Sequence, residues 1–491
     1  MTIREQLDAI AGRRVLILDG AMGSMIQALG LTEEDFRGDG VYTNRAFTGL
    51  KPLKGCNDLL CLTRPEAIGA IHDAYLEAGA DIIETCSFNS TSVSLAEYGL
   101  KDLAYEISAA AAAVARKSAD KFSTPDKPRF VAGIIGPTAK SASIPPDIND
   151  LSKRAIYWDE LEAAYYDNAR GLLDGGADIL FVETIFDTLN AKAALFAISR
   201  LLEERGADVP IMISATVSGD SPRLLSGQTL EAFCISVLHA KPWAIGLNCS
   251  FGAEKLLPHV RLLSDIAPCM VSAHPNAGLP NQAGAYDETP GTMSAYIETY
   301  LKEGLVNIAG GCCGSTPAHI AAIAKKAADY KPRPLPRPSS RTSTRLAGLE
   351  PLLIENPADV VIASESKKFA ENQEFTRLVN EGEYEDAVDI ARDLVDEGAK
   401  IININTDNAK PDPEKAMINL LELALADPYI AKVPVMISGS HWNALEAGLK
   451  RLQGRGLTDF VNLKDGEEEF LHKAKLIRRY GAAVITPGDD L

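Results

Sequence analysis

The 491-residue sequence predicts an α/β protein: a closed (β/α)8 barrel of the TIM type, followed by an incomplete β/α half-barrel of about five strands. Three observations carry this. Residues 1–330 repeat one unit eight times: a short apolar run, a polar or Gly-rich turn, then an Ala/Leu/Glu-rich helical stretch. The apolar runs are near-continuous rather than alternating, as parallel strands buried on both faces require. The same unit restarts after a Pro/Arg/Ser-rich stretch and ends before a second ring of eight is complete.

The barrel strands are expected at VLILDG (15–20), ADIIETCSF (80–88), RFVAGIIGP (129–137), ADILFVETIFD (177–187), PIMISATV (210–217), WAIGLNCS (243–250), CMVSAHPNAG (269–278) and LVNIAGGCCGS (305–315). Helical segments such as PEAIGAIHDAYLEAG separate them, and DELEAAYYDNARGLLDGG ends in a Gly pair that suits a helix C-terminus. The insertion over 21–65 is the least regular part and is expected to drape over the barrel mouth. Residues 331–349, opening with KPRPLPRPSSRTSTR, predict a semi-extended linker. The second domain, 350–491, has strand candidates DVVIAS (359–364), KIININTD (400–407), PVMISGS (434–440), DFVNLKDG (459–466) and AAVITPG (482–488).

Composition narrows the function. The chain carries 49 Lys and Arg against 67 Asp and Glu, a net charge of −18, which opposes binding to nucleic acid or to an anionic membrane. With 46% hydrophobic and 24% charged residues it has the mix of a globular protein, and no apolar run is long enough to span a bilayer. The opening MTIREQLDAIAGRR is an amphipathic stretch rather than a signal peptide, and 8 cysteines over this length form no disulfide framework. The expectation is a cytoplasmic protein.

In a barrel of this type the chemistry sits at the C-terminal strand ends. Those ends carry Asp19-Gly20, Glu84-Thr85, Gly136-Pro137-Thr138, Glu183-Thr184, Thr216, Asn248-Cys249, His274-Pro275-Asn276 and Cys312-Cys313, with no Lys or Arg. Cys249 closes the sixth strand and the Cys312-Cys313 pair closes the eighth, so three sulfurs can converge on the rim. Three thiolates suit Zn2+ and leave its fourth position open, as in catalytic sites. Glycines 310, 311 and 314 would let the backbone bend around the pair. Other readings are small buried hydrophobes, which suits Cys56, Cys61, Cys86, Cys234 and Cys269, or a strained vicinal disulfide. Asp19 and Glu183, lacking a basic partner, suit a substrate ammonium; Asp19 could instead bond backbone amides, and His274 could be structural. Gly20 and Asn276 join them as substrate-binding candidates. A sulfur site beside ammonium-binding acids suggests a substrate with a thiol and an amine, and alkyl transfer to sulfur.

The motifs LDGAMGSMIQ (18–27), ADIIETCSFNST (80–91), GPT (136–138), ETIFDTLNAKAA (183–194), SGQT (226–229), GLNC (246–249), AHPNAGLPN (273–281) and GGCCGSTPAHI (310–320) resemble the homocysteine S-methyltransferase barrel, in the form found at the N-terminus of cobalamin-dependent methionine synthases. The resemblance implies Cys249, Cys312 and Cys313 as zinc ligands, Asp19 and Glu183 at the homocysteine amino group, and a pocket shaped by Gly20 and the second-strand loop. The second region resembles the folate-binding barrel of the same enzymes, with departures at Asn403, Ser438, Asp459 and the loop ASESKKF (363–369), where the pterin would bind. This implies a truncated, degenerate pterin-binding module serving as a scaffold, with its strand edges covered by the first barrel, another protein or a homodimer partner. With no cobalamin-binding module in the sequence, the expected methyl donor is a methylated corrinoid (methylcobalamin) on a separate protein. S-methylmethionine or a betaine is the alternative donor, and a non-catalytic sensor of homocysteine or folate is the alternative function.

Overall fold

The computed structural model describes residues 1–38, 47, 51–219, 221–282, 284, 286–336, 343–355, 373–459 and 466–485. Eight parallel strands form the first sheet: β1 (Leu16–Ile17), β2 (Ile82–Glu84), β3 (Phe130–Ile135), β4 (Ile179–Ile185), β5 (Ile211–Ala215), β6 (Ala244–Gly252), β7 (Met270–Asn276) and β8 (Ile308–Ala309). Their order, β1-β8-β7-β6-β5-β4-β3-β2, is that of a barrel, and each lies on an apolar run the sequence marks as a strand. The seam between β1 and β2 is the weakest: one bridge joins Leu18 to Ile82. Asp81 reinforces it, accepting from Ile17 N at 2.9 Å and from the Arg14 guanidinium at 2.6 and 2.8 Å.

Apolar side chains fill the barrel in two zones. Leu16, Leu18, Phe130, Phe181, Met212 and Ile308 pack together inside the ring, with Leu7 and Ala11 of the N-terminal helix Ile3–Ala11 closing its base. Trp243 Nε1 pins that helix by donating to Asp8 Oδ1 at 2.8 Å. The second zone lies between strands and outer helices. There Ile107, Ala111, Ala115, Leu161, Leu172, Ile198 and Leu256 are fully or nearly fully buried. Among the described residues, no helix is long and apolar enough to cross a membrane.

The linker expectation needs revision. Arg333 is buried and satisfies the end of the helix Ala253–Ile266, donating to Ser264 O at 2.6 Å and Ala267 O at 2.8 Å. Residues Thr344–Ala347 form β9, which pairs antiparallel with β10 (Pro351–Ile354). The hairpin is fixed by the barrel: Thr229 N donates to Leu349 O at 2.9 Å, and Gln228 Nε2 to Gly348 O at 2.8 Å. Ser, Thr and Arg hide this strand from a compositional reading, because its stability comes from docking.

The second parallel sheet has the order β11 (Ile402–Asn405), β12 (Val435–Ser438), β13 (Leu457–Thr458) and β14 (Ala483–Val484). The predicted strand 359–364 lies outside the described residues. β13 ends at Thr458, just before the fourth predicted run, of which residues 460–465 lie outside the described residues. This sheet's helices and loops pack on the barrel. Lys192, fully buried in the barrel helix Thr188–Arg205, donates to Leu452 O at 2.6 Å and Gly454 O at 2.9 Å. Burial first, and then the nearby Arg455, pull its pKa down to about 7.

Candidate active site

The C-terminal ends of the barrel strands surround a cavity of about 380 Å³. Its two poles differ in chemistry.

One pole is sulfur. Cys249 Sγ lies 4.0 Å from Cys313 Sγ, and Cys312 Sγ lies 4.0 Å from Cys313 Sγ. All three ligand atoms fall within 4.8 Å of one another, close enough to hold one metal ion. The backbone is bent to achieve this. Cys249 and Ser250 sit at φ +58° and +61°, and β6 slips register against β7 between Asn248 and Gly252. Left-handed backbone at a non-glycine residue costs about 1–3 kcal/mol, and such bulges re-aim side chains at functional rims. Of the three glycines expected to free the Cys pair, Gly314 alone is left-handed (φ +78°), and a Cβ there would meet Tyr286 Cγ at 2.2 Å. Gly310 and Gly311 serve close packing instead: a Cβ would lie 2.7 Å from Leu18 Cβ and 2.5 Å from Ser315 Oγ respectively. Hydrogen bonds from the Cys312 and Cys313 thiols hold Cys249 well below the usual thiol range, with Ser250 N and the Asn276 amide assisting. Bonding to Cys249 correspondingly pushes Cys312 and Cys313 up.

The other pole is carboxylate. Glu84 ends β2 and Glu183 lies within β4. Glu183 Oε1 is 3.1 Å from His274 Nε2 and accepts from Asn248 Nδ2 at 3.3 Å. Asp19 Oδ2 accepts from Glu84 N at 3.0 Å. Burial, followed by repulsion from Glu183 and Asp19, pushes Glu84 well above the carboxylate range. Asp19 is also raised, by burial first and then by repulsion from Glu183 against the opposing hydrogen bond of Glu84 N. Neither Lys nor Arg is among the described residues lining the cavity. Four buried atoms here have no partner: Asp19 Oδ1, Glu84 Oε1, His274 Nδ1 and Asn276 Oδ1.

Asn248 joins the poles. Its Nδ2 donates to Thr184 Oγ1 at 2.7 Å, to Glu183, and to Cys312 Sγ at 3.9 Å, while its Oδ1 accepts from Ser214 Oγ at 2.7 Å. Tyr75 closes the rim, its hydroxyl 3.1 Å from both Ala21 O and Ser315 O. Gly20 is required beneath it, since a Cβ would lie 2.6 Å from Ser315 Oγ and 2.9 Å from the Tyr75 ring.

The structure brings the predicted Cys249, Cys312, Cys313, Gly20 and Glu183 to the cavity wall. Asp19 and Asn276 are buried just behind it: Asp19 braces Glu84, and Asn276 hydrogen-bonds Cys249. Glu84, within the predicted ring of strand ends, faces the cavity although it was not singled out. Asp58 was not foreseen at all. It comes from the irregular insertion, lines the cavity, and accepts from Asn89 N at 2.5 Å and Ser90 Oγ at 3.1 Å. Burial pushes its pKa up to about 7.

A barrel with this cavity defines a class, and comparison with known proteins gives the family. The chain belongs to the homocysteine S-methyltransferase family, whose profile matches residues 16–327. A second profile, described as pterin binding enzyme, matches residues 369–487. Among solved structures, the metallated form of the homocysteine methyltransferase MmuM from Escherichia coli is 22% identical, with a TM-score of 0.50, over 65% of this chain and 98% of that one. Its oxidized form is 22% identical, with a TM-score of 0.49, over 64% of this chain and 96% of that one. At this identity the likeness is one of fold.

Proposed function

We propose that the protein transfers a methyl group to the thiol sulfur of homocysteine, forming methionine, with a methylated corrinoid as donor. The observation that carries the reading is the two-pole cavity. A sulfur trio faces a set of buried carboxylates that have no cation of their own, and homocysteine offers a thiol and an ammonium. The family membership supports the same substrate. The corrinoid rests on the pairing of this barrel with a pterin-binding profile.

The donor set fits zinc. Zn–S bonds of about 2.3 Å at a tetrahedral centre separate sulfurs by about 3.8 Å, near the 4.0 Å seen for two of the pairs. Cys249, Cys312 and Cys313 would hold the ion. There it would keep the substrate sulfur as a thiolate near neutral pH, although a free thiol has a pKa of about 8.5. The chain's own groups do the positioning. Glu84 and Glu183 accept hydrogen bonds from the ammonium, and Asp19 adds negative charge from behind Glu84. Asn248 fixes the distance between the carboxylate and sulfur poles. A sulfur lone pair forms the new S–CH3 bond while the donor's bond to that methyl breaks and the donor keeps the electron pair.

The test uses zinc-loaded protein, homocysteine and one donor at a time: methylcobalamin, methyltetrahydrofolate, S-methylmethionine or betaine, with methionine measured by mass. Product from methylcobalamin alone is expected. Product from an onium donor would replace the proposed donor, and no product with zinc bound would favour a binding module without turnover.

A further inference from the structure

A second cavity, of about 390 Å³, lies in the seam between the barrel and the second sheet. Its barrel side comprises the C-terminal half of the helix Thr188–Arg205, the entry into β5 and the turn at His239–Lys241, with Arg4 at the edge. Its other side is the last turns of the helix Glu467–Arg479. It therefore sits at the N-terminal ends of the strands, at the opposite end of the barrel from the cysteines.

The charge here opposes that of the molecule. In a chain of net charge −18, this seam gathers Arg4, Lys241, Lys475, Arg478 and Arg479 against two carboxylates, Glu203 and Asp208. Both carboxylates are already paired: Asp208 with Arg4 at 2.9 Å, and Glu203 with Arg479 and, at 3.7 Å, with Lys475. Lys241 and Arg478 have no ion pair or side-chain hydrogen bond among the described residues. Cations in the last turn of a helix complement its exposed carbonyls, which accounts for Arg478 and Arg479 taken alone. That does not account for Lys241, which arrives from the barrel and faces the same space. Leu195, Leu202 and Ile211 give the cavity an apolar wall, so charge placed there is less screened than on an open surface.

We propose that this seam binds a compact oxyanion carrying two or more negative charges, held between Lys241 of the barrel and Arg478 of the second domain. Arg479 and Lys475 flank it. The shared chemistry is multivalent oxyanion recognition by Lys and Arg, met by a phosphate ester or by a polycarboxylate. Because the two anchoring cations belong to different domains, the ligand tightens the seam.

Isothermal titration of the full chain at physiological salt, with inorganic triphosphate and separately with citrate, tests this. The comparison is the K241E/R478E variant, whose two positions are exposed, unpartnered and remote from the methyl-transfer cavity. Its fold is checked by an unchanged circular dichroism spectrum and an unchanged zinc content. The wild type is expected to bind at least one probe saturably at one site per chain, and the variant at least about 10-fold more weakly. Binding of triphosphate alone assigns a phosphate-bearing ligand, binding of citrate alone a polycarboxylate, and binding of both a site selective for charge. Absence of wild-type binding at millimolar probe, or equal binding by a folded variant, overturns the proposal.

Discussion

The strand ends of the barrel and those of the second sheet treat their polar groups in opposite ways. In the barrel, buried acceptors and a ring nitrogen stand without partners: Asp19 Oδ1, Glu84 Oε1, Asn276 Oδ1 and His274 Nδ1. In the second sheet, the corresponding groups among the described residues bind one another. Ser438 Oγ donates to Asn403 Oδ1 at 2.8 Å, the Asp407 carboxylate accepts from Ser440 N at 2.9 Å, and Gly439 N supports Asp459. A buried polar atom without a partner costs about 1–3 kcal/mol, so a native fold keeps one where something else will satisfy it. The barrel end leaves buried polar atoms unpaired around its cavity, whereas the described part of the sheet end satisfies its own.

Breaking the sulfur pole gives the largest effect. Cys312→Ser is expected to abolish stoichiometric zinc binding and to lower methionine formation by at least about 1,000-fold, since several kcal/mol of charge stabilisation go with the ion. Metal content and turnover, measured on the same preparation, check it. Full activity in this variant would reduce the trio to a structural staple.

At the carboxylate pole, function and stability should move in opposite directions. Glu84→Gln removes a half-buried acid repelled by Glu183 and Asp19, so the ligand-free protein should melt several degrees higher at neutral pH. On the proposed reading it also removes one acceptor for the substrate ammonium, so KM for homocysteine should rise by about 10–100-fold. Thermal melts and steady-state kinetics read the two effects separately. A variant with lower stability and unchanged KM would make Glu84 a packing residue.

These contrasts show what the sequence can carry. The eight apolar runs located the barrel strands, and position at a strand end was enough to bring Cys249, Cys312, Cys313 and Glu183 together. Roles set by long-range contacts were not legible. Asn248 stands beside Cys249 in the chain, yet its partners Glu183, Ser214 and Cys312 come from β4, β5 and the loop after β8. Asp58 lies in an insertion without periodicity, and only tertiary packing carries it to the cavity. The left-handed Thr184, Cys249 and Ser250 bear side chains that ordinarily avoid such backbone, so composition gave no hint of the bend. Asp19 and Asn276 were legible as site residues but not as supports behind the wall. In the second domain, where strands are two to four residues long, periodicity was too short to place β13 or to reveal β9.

A smaller effect follows from Asp58. Its folded pKa of about 7 exceeds the ordinary 3.8, so between these values the folded chain holds a proton that the unfolded chain has released. Stability from this group is therefore greatest below about pH 4, declines as pH rises to about 7, and is level above that. Asp58→Asn should flatten the wild-type slope by up to about 1.4 kcal/mol per pH unit. Denaturant melts of both proteins at about pH 5, 6 and 8 check this, and parallel pH profiles would remove Asp58 as the cause.

The smallest expected effect tests the self-satisfied end. Ser438→Ala deletes the hydroxyl that donates to Asn403 Oδ1, in a sheet end whose polar groups serve one another. The loss is that bond and a longer one accepted from Asn405 Nδ2 at 3.4 Å, together about 1 kcal/mol, read as a melting temperature lower by a few degrees at most. The cavity at the barrel's strand ends draws its described lining from the barrel and the insertion before β2, so KM for homocysteine and zinc content should not change. The contrast with Glu84→Gln is the point of the pair. An acid kept for a ligand gains stability and loses binding when neutralised, whereas a hydroxyl kept for its neighbour loses stability and leaves binding alone. A Ser438→Ala protein that melts higher, or that binds homocysteine more weakly, would erase the distinction between the two strand ends.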